Sequence, residues 1–208
     1  MAAARHIFWL LCCGETTWSR EGRIRGRTDL PLSSSGRSAI SADVVRLAGA
    51  SIGTVYHPGD EAATESATVV AEATRARLRS IDDLADPDLG LLEGLTEQTF
   101  AERYGKRYKS WREDPLALTP PDGESLAHAR ARIFEAVARA LKRSRGAEPL
   151  FVLHQLALGM LQCWLADRPT SALWSMIRDH PRLERYAIAA DQLEALDAAA
   201  REAVGEAG

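Results

Sequence analysis

The sequence lacks what several functional classes require. It has no basic excess: 26 Lys and Arg stand against 29 Asp and Glu, a formal net charge of −3. Nucleic-acid binders show the opposite balance, so no nucleic-acid partner is expected. Three cysteines, two of them adjacent, are too few for a disulfide framework. A reduced, cytoplasmic protein is the reading that follows. No apolar run reaches the ~20 residues that cross a bilayer. The early run Ile7–Leu11 is also too short for a signal-peptide core, so no membrane partner is expected. Residues 150–165 are apolar, but His154, Gln155 and Gln162 interrupt them. There is no internal repeat, no coiled-coil heptad pattern and no domain linker.

What remains is an ordinary globular composition, 46% apolar and 26% charged over 208 residues. A chain of that length buries a core without metals or disulfides. The expected organisation is one domain over 1–208, with 95–121 as a charged helical insertion over a cleft and 199–208 as a frayed tail. Strands are expected at 6–12, 52–57, 149–154 and 186–190, with 84–94 irregular around one short strand. Helices are expected at 35–48, 61–78, 96–104, 122–144, 155–165 and 172–178. In the longest helix Leu126, Ile133, Val137 and Leu141 share one stripe. Alternating strands and helices predict a three-layer α/β/α sandwich on a mostly parallel sheet.

In such sheets, sites form at the carboxyl ends of strands. Three features converge there: Cys12-Cys13-Gly14, His57-Pro58 and His154-Gln155. The loop from Gly14 to Ser34 has no apolar periodicity, and loops that long are functional or disordered. Its arginines Arg20, Arg23, Arg25 and Arg27 form either a solvated face or a field for an anionic ligand or protein partner. Neighbouring strand residues point to opposite faces, so only one cysteine of the pair faces a cleft. Cys13 is the candidate and Cys12 a core residue. The same geometry argues against one metal ion shared by Cys12, Cys13 and His154 with Glu61 or Asp86, so neither metal nor cofactor is expected. A Cys13 nucleophile would need positive charge around it, and Glu61 and Asp86 oppose this with only His154 in favour. The Cys-x5-Arg spacing of cysteine phosphatases is absent: six residues separate Cys13 from Arg20.

The motif spacing resembles the histidine phosphatase superfamily, the phosphoglycerate-mutase-like proteins. The matching residues are Gly14-Glu15-Thr16, Trp18, Gly22-Arg23, Gly26, Asp29-Leu30-Pro31-Leu32 and Gly36. Further on come Leu84-x-Asp86, Gly90, Glu93-Gly94, Gly123-Glu124-Ser125 and Val152-Leu153-His154. The resemblance implies the phosphoglycerate-mutase-like sandwich and an ancestral phosphoryl-transfer or phosphomonoester-hydrolysis activity.

The departures fall on the residues that the resemblance makes chemical. The family's Arg-His pair, a phosphate clamp and the phosphoryl-accepting nucleophile, falls on Cys12 and Cys13. Its second arginine falls on Glu61, or on Ala62 if the register slips by one. Its Asn becomes Ser19, its Glu becomes Asp86, and the glycine after its second histidine becomes Gln155. Only His154 is kept among the phosphate-holding residues. A carboxylate facing a phosphate at such a site costs about 4 kcal/mol per charge pair at an effective dielectric near 20. The expectation is therefore a pocket kept in shape, with Cys12, Cys13, Glu61, Asp86 and His154 as degenerate positions and no assured catalytic residue. Ser19, Arg23, His154 and Gln155 are the candidate ligand-binding residues, and a small anionic molecule or a protein the candidate partner; an oligomer is compatible with the sequence. The alternative is a hydrolase of altered mechanism using Cys13 with His154 and Asp86 on a small phosphorylated or anionic substrate.

Overall fold

The computed structural model describes residues 5–144 and 146–205. A five-stranded sheet forms the middle layer: β1 (Arg5–Cys12), β2 (Ile52–His57), β3 (Arg77–Ser80), β4 (Glu148–Leu153) and β5 (Leu183–Ala189). Their spatial order is β3-β2-β4-β1-β5. All neighbours are parallel except β5, which runs antiparallel to β1. Cys12 pairs with Leu153 and Tyr56 with Phe151, so β1, β2 and β4 end along one edge. That common edge is what brings distant segments together.

The helices are α1 (Thr17–Arg20), α2 (Ser34–Val45), α3 (Glu61–Thr74), α4 (Glu97–Arg103), α5 (Gly105–Glu113), α6 (Leu126–Arg143), α7 (Gln155–Leu165), α8 (Leu173–Asp179) and α9 (Ala190–Gly205). Strand residues alternate between two cores. Phe8, Leu10, Cys12, Phe151 and Leu153 join the α6, α7 and α9 side. Leu11, Cys13, Val55, Leu150 and Val152 join the α2 and α3 side. This period-two alternation sends adjacent cysteines to opposite layers. The stripe of Leu126, Ile133, Val137 and Leu141 on α6 is buried as the spacing predicts. No helix among the described residues is long and apolar enough to cross a membrane.

Three expectations change. The helix expected to reach Leu78 stops at Thr74, because Arg75 adopts the left-handed conformation at φ 56°. Residues 77–80 then form the parallel edge strand β3, whose short, charged sequence Arg-Leu-Arg-Ser carries no strand periodicity. The segment 84–94 forms no strand: a 3-10 turn over Asp82–Leu84 leads into it and a second spans Gly90–Leu92. The tail expected to fray from Ala199 is helical to Gly205, since Leu193, Leu196 and Ala200 are buried on one face of α9 against the core. Residues 206–208 of that expectation lie outside the described residues.

The long loop after β1 is fixed by backbone-to-backbone packing. Ser33 N–H donates to the Glu15 carbonyl at 2.8 Å, and Thr16 pairs with Leu32. A Cβ on Gly36 would lie 2.2 Å from the Glu15 carbonyl oxygen and 2.6 Å from its nitrogen. Gly36→Ala is therefore expected to destabilise the protein by roughly 2–3 kcal/mol, because backbone must move. Gly105→Ala, with no atom within 4 Å of its new Cβ, is expected to be neutral or slightly stabilising. Urea unfolding of the two variants checks the contrast.

Candidate functional site

Four segments deliver charged side chains to the shared strand edge. His154 follows β4 and caps α7. Its Nε2 lies 2.9 and 3.0 Å from the two carboxylate oxygens of Asp60. Asp60 caps α3, and its Oδ1 also accepts the Ala63 N–H at 3.2 Å. Arg25, from the loop after β1, places Nη1 3.6 Å from Asp60 and Nη2 3.8 Å from Asp86. Asp86 Oδ1 accepts the Ala157 N–H in the first turn of α7 at 2.8 Å. The result is a chain of charges of alternating sign, His154, Asp60, Arg25, Asp86.

The chain is buried, with side-chain exposures of 6, 14, 10 and 5% in that order. Buried charges persist only when paired, and here each has a partner. Burial disfavours a charged His154. The sulfur of Cys13 and the contacts with Asp60 outweigh burial and the opposing charge of Arg25, and its pKa rises to about 10. Burial also pushes the Asp60 carboxyl up, but the bond to His154 and the charges of His154 and Arg25 hold it down at about 2. At neutral pH His154 and Asp60 therefore form an ion pair. Arg132 of α6 steadies the segment carrying Asp86: it donates to the carbonyls of Asp83, Ala85 and Asp86 at 2.9, 2.7 and 3.0 Å. Glu124 holds that guanidinium in a fork at 2.7 and 2.6 Å.

A cavity of about 410 Å³ adjoins this chain. Cys13, Arg25, Asp86 and His154 line it, as do Ser19, Arg23 and Gln155. The 95–121 segment supplies Glu97 and Trp111, and the region around α8 and β5 supplies Trp174 and Arg182. A second cavity of about 390 Å³ shares Arg25, Gly26 and Asp86 with the first and contains Asp60. Arg25 and Asp86 thus belong to the walls of both. Among the described residues no group of three or more His, Cys, Asp or Glu is placed to hold a metal ion.

Three expected positions are elsewhere. Glu61 lines neither cavity and its side chain is exposed. It is the first residue of α3, and its N–H donates to Asp29 at 2.7 Å. Ala62, the other register, is buried in the α2–α3 core. The carboxylate at the site belongs to Asp60, one residue earlier. Cys12 faces the opposite core, and burial pushes its thiol up to about 12 although Arg182 pulls the other way. His57 is buried against the Pro58 carbonyl at 2.6 Å rather than at the cavity mouth.

Cys13 keeps to the cavity wall, and Ser66 fixes how its sulfur is used. The Ser66 hydroxyl donates to the Ala62 carbonyl at 2.7 Å and accepts the Gly14 N–H at 3.1 Å. With its only hydrogen committed, Ser66 Oγ can accept but not donate toward Cys13 Sγ, 3.4 Å away. Sequence reasoning missed Arg25, Asp60 and Ser66 as partners. The available signal for Asp60 was its place, a capping residue just past the end of a parallel strand.

The comparisons with known proteins agree with this architecture. A family model described as "Histidine phosphatase superfamily (branch 1)" matches residues 8–198. The protein named "Probable phosphoglycerate mutase GpmB" of Enterobacter sp. (strain 638) is 29% identical over 169 residues, 79% of this chain and 76% of that protein. The structure of Bacillus stearothermophilus YhfR superposes with a TM-score of 0.75 at 27% identity, covering 81% of this chain and 84% of that one. A mycobacterial glucosyl-3-phosphoglycerate phosphatase, complexed with VO3, shares the fold with a TM-score of 0.73 at 23% identity, covering 82% and 85%.

The ion chain makes stability depend on pH in two directions. Asp60 falls from 3.8 to about 2 on folding, so its contribution is present above about 3.8 and is lost as pH falls through about 2. His154 rises from 6.5 to about 10, so its contribution is complete below 6.5 and is lost as pH rises through about 10. The difference in urea stability between wild type and Asp60→Asn is expected to be largest between these limits and to shrink on both sides. A difference independent of pH would show that the pair is not ionised as described.

Proposed function

The chain belongs to the histidine phosphatase superfamily, and within it we propose a member that binds a ligand at the family's pocket without turning over phosphomonoesters. It is a pseudophosphatase with a binding or regulatory role. The observation that carries this reading is the Asp60 carboxylate seated on His154 Nε2. His154 is the one phosphate-holding residue kept from the family's set, and it already holds an anion belonging to the protein itself. Arg25 is drawn to the same carboxylate and to Asp86. A phosphate dianion entering here would meet two carboxylates and no unpaired cation, where each repulsion costs about 4 kcal/mol at an effective dielectric near 20.

The family's nucleophile position holds Cys13, whose sulfur faces a hydroxyl able only to accept. A second reading, hydrolysis through Cys13 with His154 and Asp86, draws on the Cys13–His154 interaction. It is disfavoured because Asp86, the acid in that reading, is engaged by Ala157 and Arg25. The relative named for phosphoglycerate mutase and the fold neighbour named for phosphatase activity support a small-molecule pocket rather than a nucleic-acid surface. Three free, buried cysteines support a cytoplasmic protein.

Purified protein is expected to leave p-nitrophenyl phosphate and common sugar phosphates unhydrolysed from mildly acidic to mildly alkaline pH. Turnover abolished by Cys13→Ser would establish the second reading instead. Asp60→Asn removes the competing carboxylate charge while keeping a side chain that can cap α3. Its affinity for inorganic phosphate is expected to exceed that of wild type by about tenfold or more in calorimetry. Equal affinities would overturn the role given to Asp60.

A further inference from the structure

The strand β3 lies at an edge of the sheet and pairs with β2 alone. All four of its residues, Arg77-Leu78-Arg79-Ser80, are exposed. Just past it, Ile81 N–H donates to the His57 carbonyl at 2.9 Å. Main-chain directions in a strand repeat every second residue, so Arg79 and Arg77 also turn their N–H and C=O to β2. Leu78 and Ser80 therefore point theirs outward. Among the described residues no other segment takes up these groups.

The side chains divide between the two faces of the sheet. Leu78 stands beside Val55, on the α2–α3 side, and is 41% exposed. Arg77 and Arg79 stand beside Thr54 and Tyr56, on the α6 side. Neither guanidinium has an ion-pair or hydrogen-bond partner among the described residues. The edge thus offers open main-chain groups, one apolar side chain and two unpaired cations in alternation. Residues 77–80 line neither cavity, so this edge is separate from the pocket.

Short, charged edge strands guard against edge-to-edge association. Here the guard is selective. A second copy pairing antiparallel about Leu78 would set Arg77 against Arg79, and pairing about either arginine would set that residue against itself. Like charges oppose such a dimer. A strand with carboxylates at alternate positions meets the same arginines as ion pairs and sets its intervening residues against Leu78. That pattern has a period of two, so it fits in either strand direction.

We propose that the β3 edge accepts an extended acidic segment of a partner protein, which adds a strand to the sheet through the main chain of Leu78 and Ser80 and pairs its carboxylates with Arg77 and Arg79. The main-chain bonds supply affinity, and the alternating side chains choose the partner. Rejection of a second copy and attraction of an acidic strand come from the same two charges.

The test uses 15N-labelled full-length protein and two blocked hexapeptides, Glu-Val-Glu-Val-Glu-Val and Lys-Val-Lys-Val-Lys-Val. The acidic peptide is expected to bind saturably and to slow hydrogen exchange at the Leu78 and Ser80 amides about fivefold or more, as followed by NMR. The Arg77 and Arg79 amides, already turned to β2, are expected to change less. The lysine peptide is expected to leave exchange unaltered. Arg77→Glu combined with Arg79→Glu is expected to reverse the preference between the peptides. Ser80→Pro removes one outward N–H and keeps both arginines, and an edge strand tolerates proline where the N–H faces solvent. Its affinity for the acidic peptide is expected to fall about fivefold, the worth of roughly one hydrogen bond. No binding of the acidic peptide, equal protection by both peptides, or binding without protection of Leu78 and Ser80 would overturn the proposal, whether or not the variants fold. So would an unchanged affinity in folded Ser80→Pro. Leu78 and Ser80 amides already protected in a concentration-dependent dimer would make a second copy the occupant and overturn it as well.

Discussion

Four buried charges that must neutralise one another hold the working edge of this protein together. His154, Asp60, Arg25 and Asp86 come from the β4–α7 junction, the start of α3, the loop after β1 and the segment before α4. Removing Asp60 would strip the buried His154 of its ionic partner, and removing Arg25 would do the same to Asp86, which is among the costliest defects a fold can carry. The loop is therefore tied to the sheet edge by electrostatics as well as by the Gly36 backbone contact. Arg132 and Glu124 extend the same logic one layer outward, because they fix the carbonyls of the segment that presents Asp86.

That constraint also shapes what the pocket can bind. In a site built for phosphate, cations converge and wait for the ligand's charge. Here the convergence is retained, but the anion is Asp60.

Much of the architecture was legible from residue order. The buried strands, their shared carboxyl edge and the α6 stripe follow from apolar periodicity. The glycine and Asp-Leu-Pro-Leu spacing carried the family. Local chemistry misled at particular residues. Arg75 ended α3 early through a left-handed backbone that nothing in its side chain announces. The tail after Ala199 is rich in small residues and reads as frayed, yet α6 gives its buried face a partner. Motif register put the pocket carboxylate at Glu61, while helix geometry turned that side chain to solvent and left Asp60 facing His154.

By itself, the sequence determined that Cys12 and Cys13 go to opposite layers, because a strand alternates with a period of two. It also determined that His154 ends a buried strand and that the loop after β1 carries several arginines. Only the tertiary structure decided which arginine turns inward and which carboxylate meets His154. These depend on distances between segments remote in the chain, and pairing of buried charge is decided by such distances rather than by residue type.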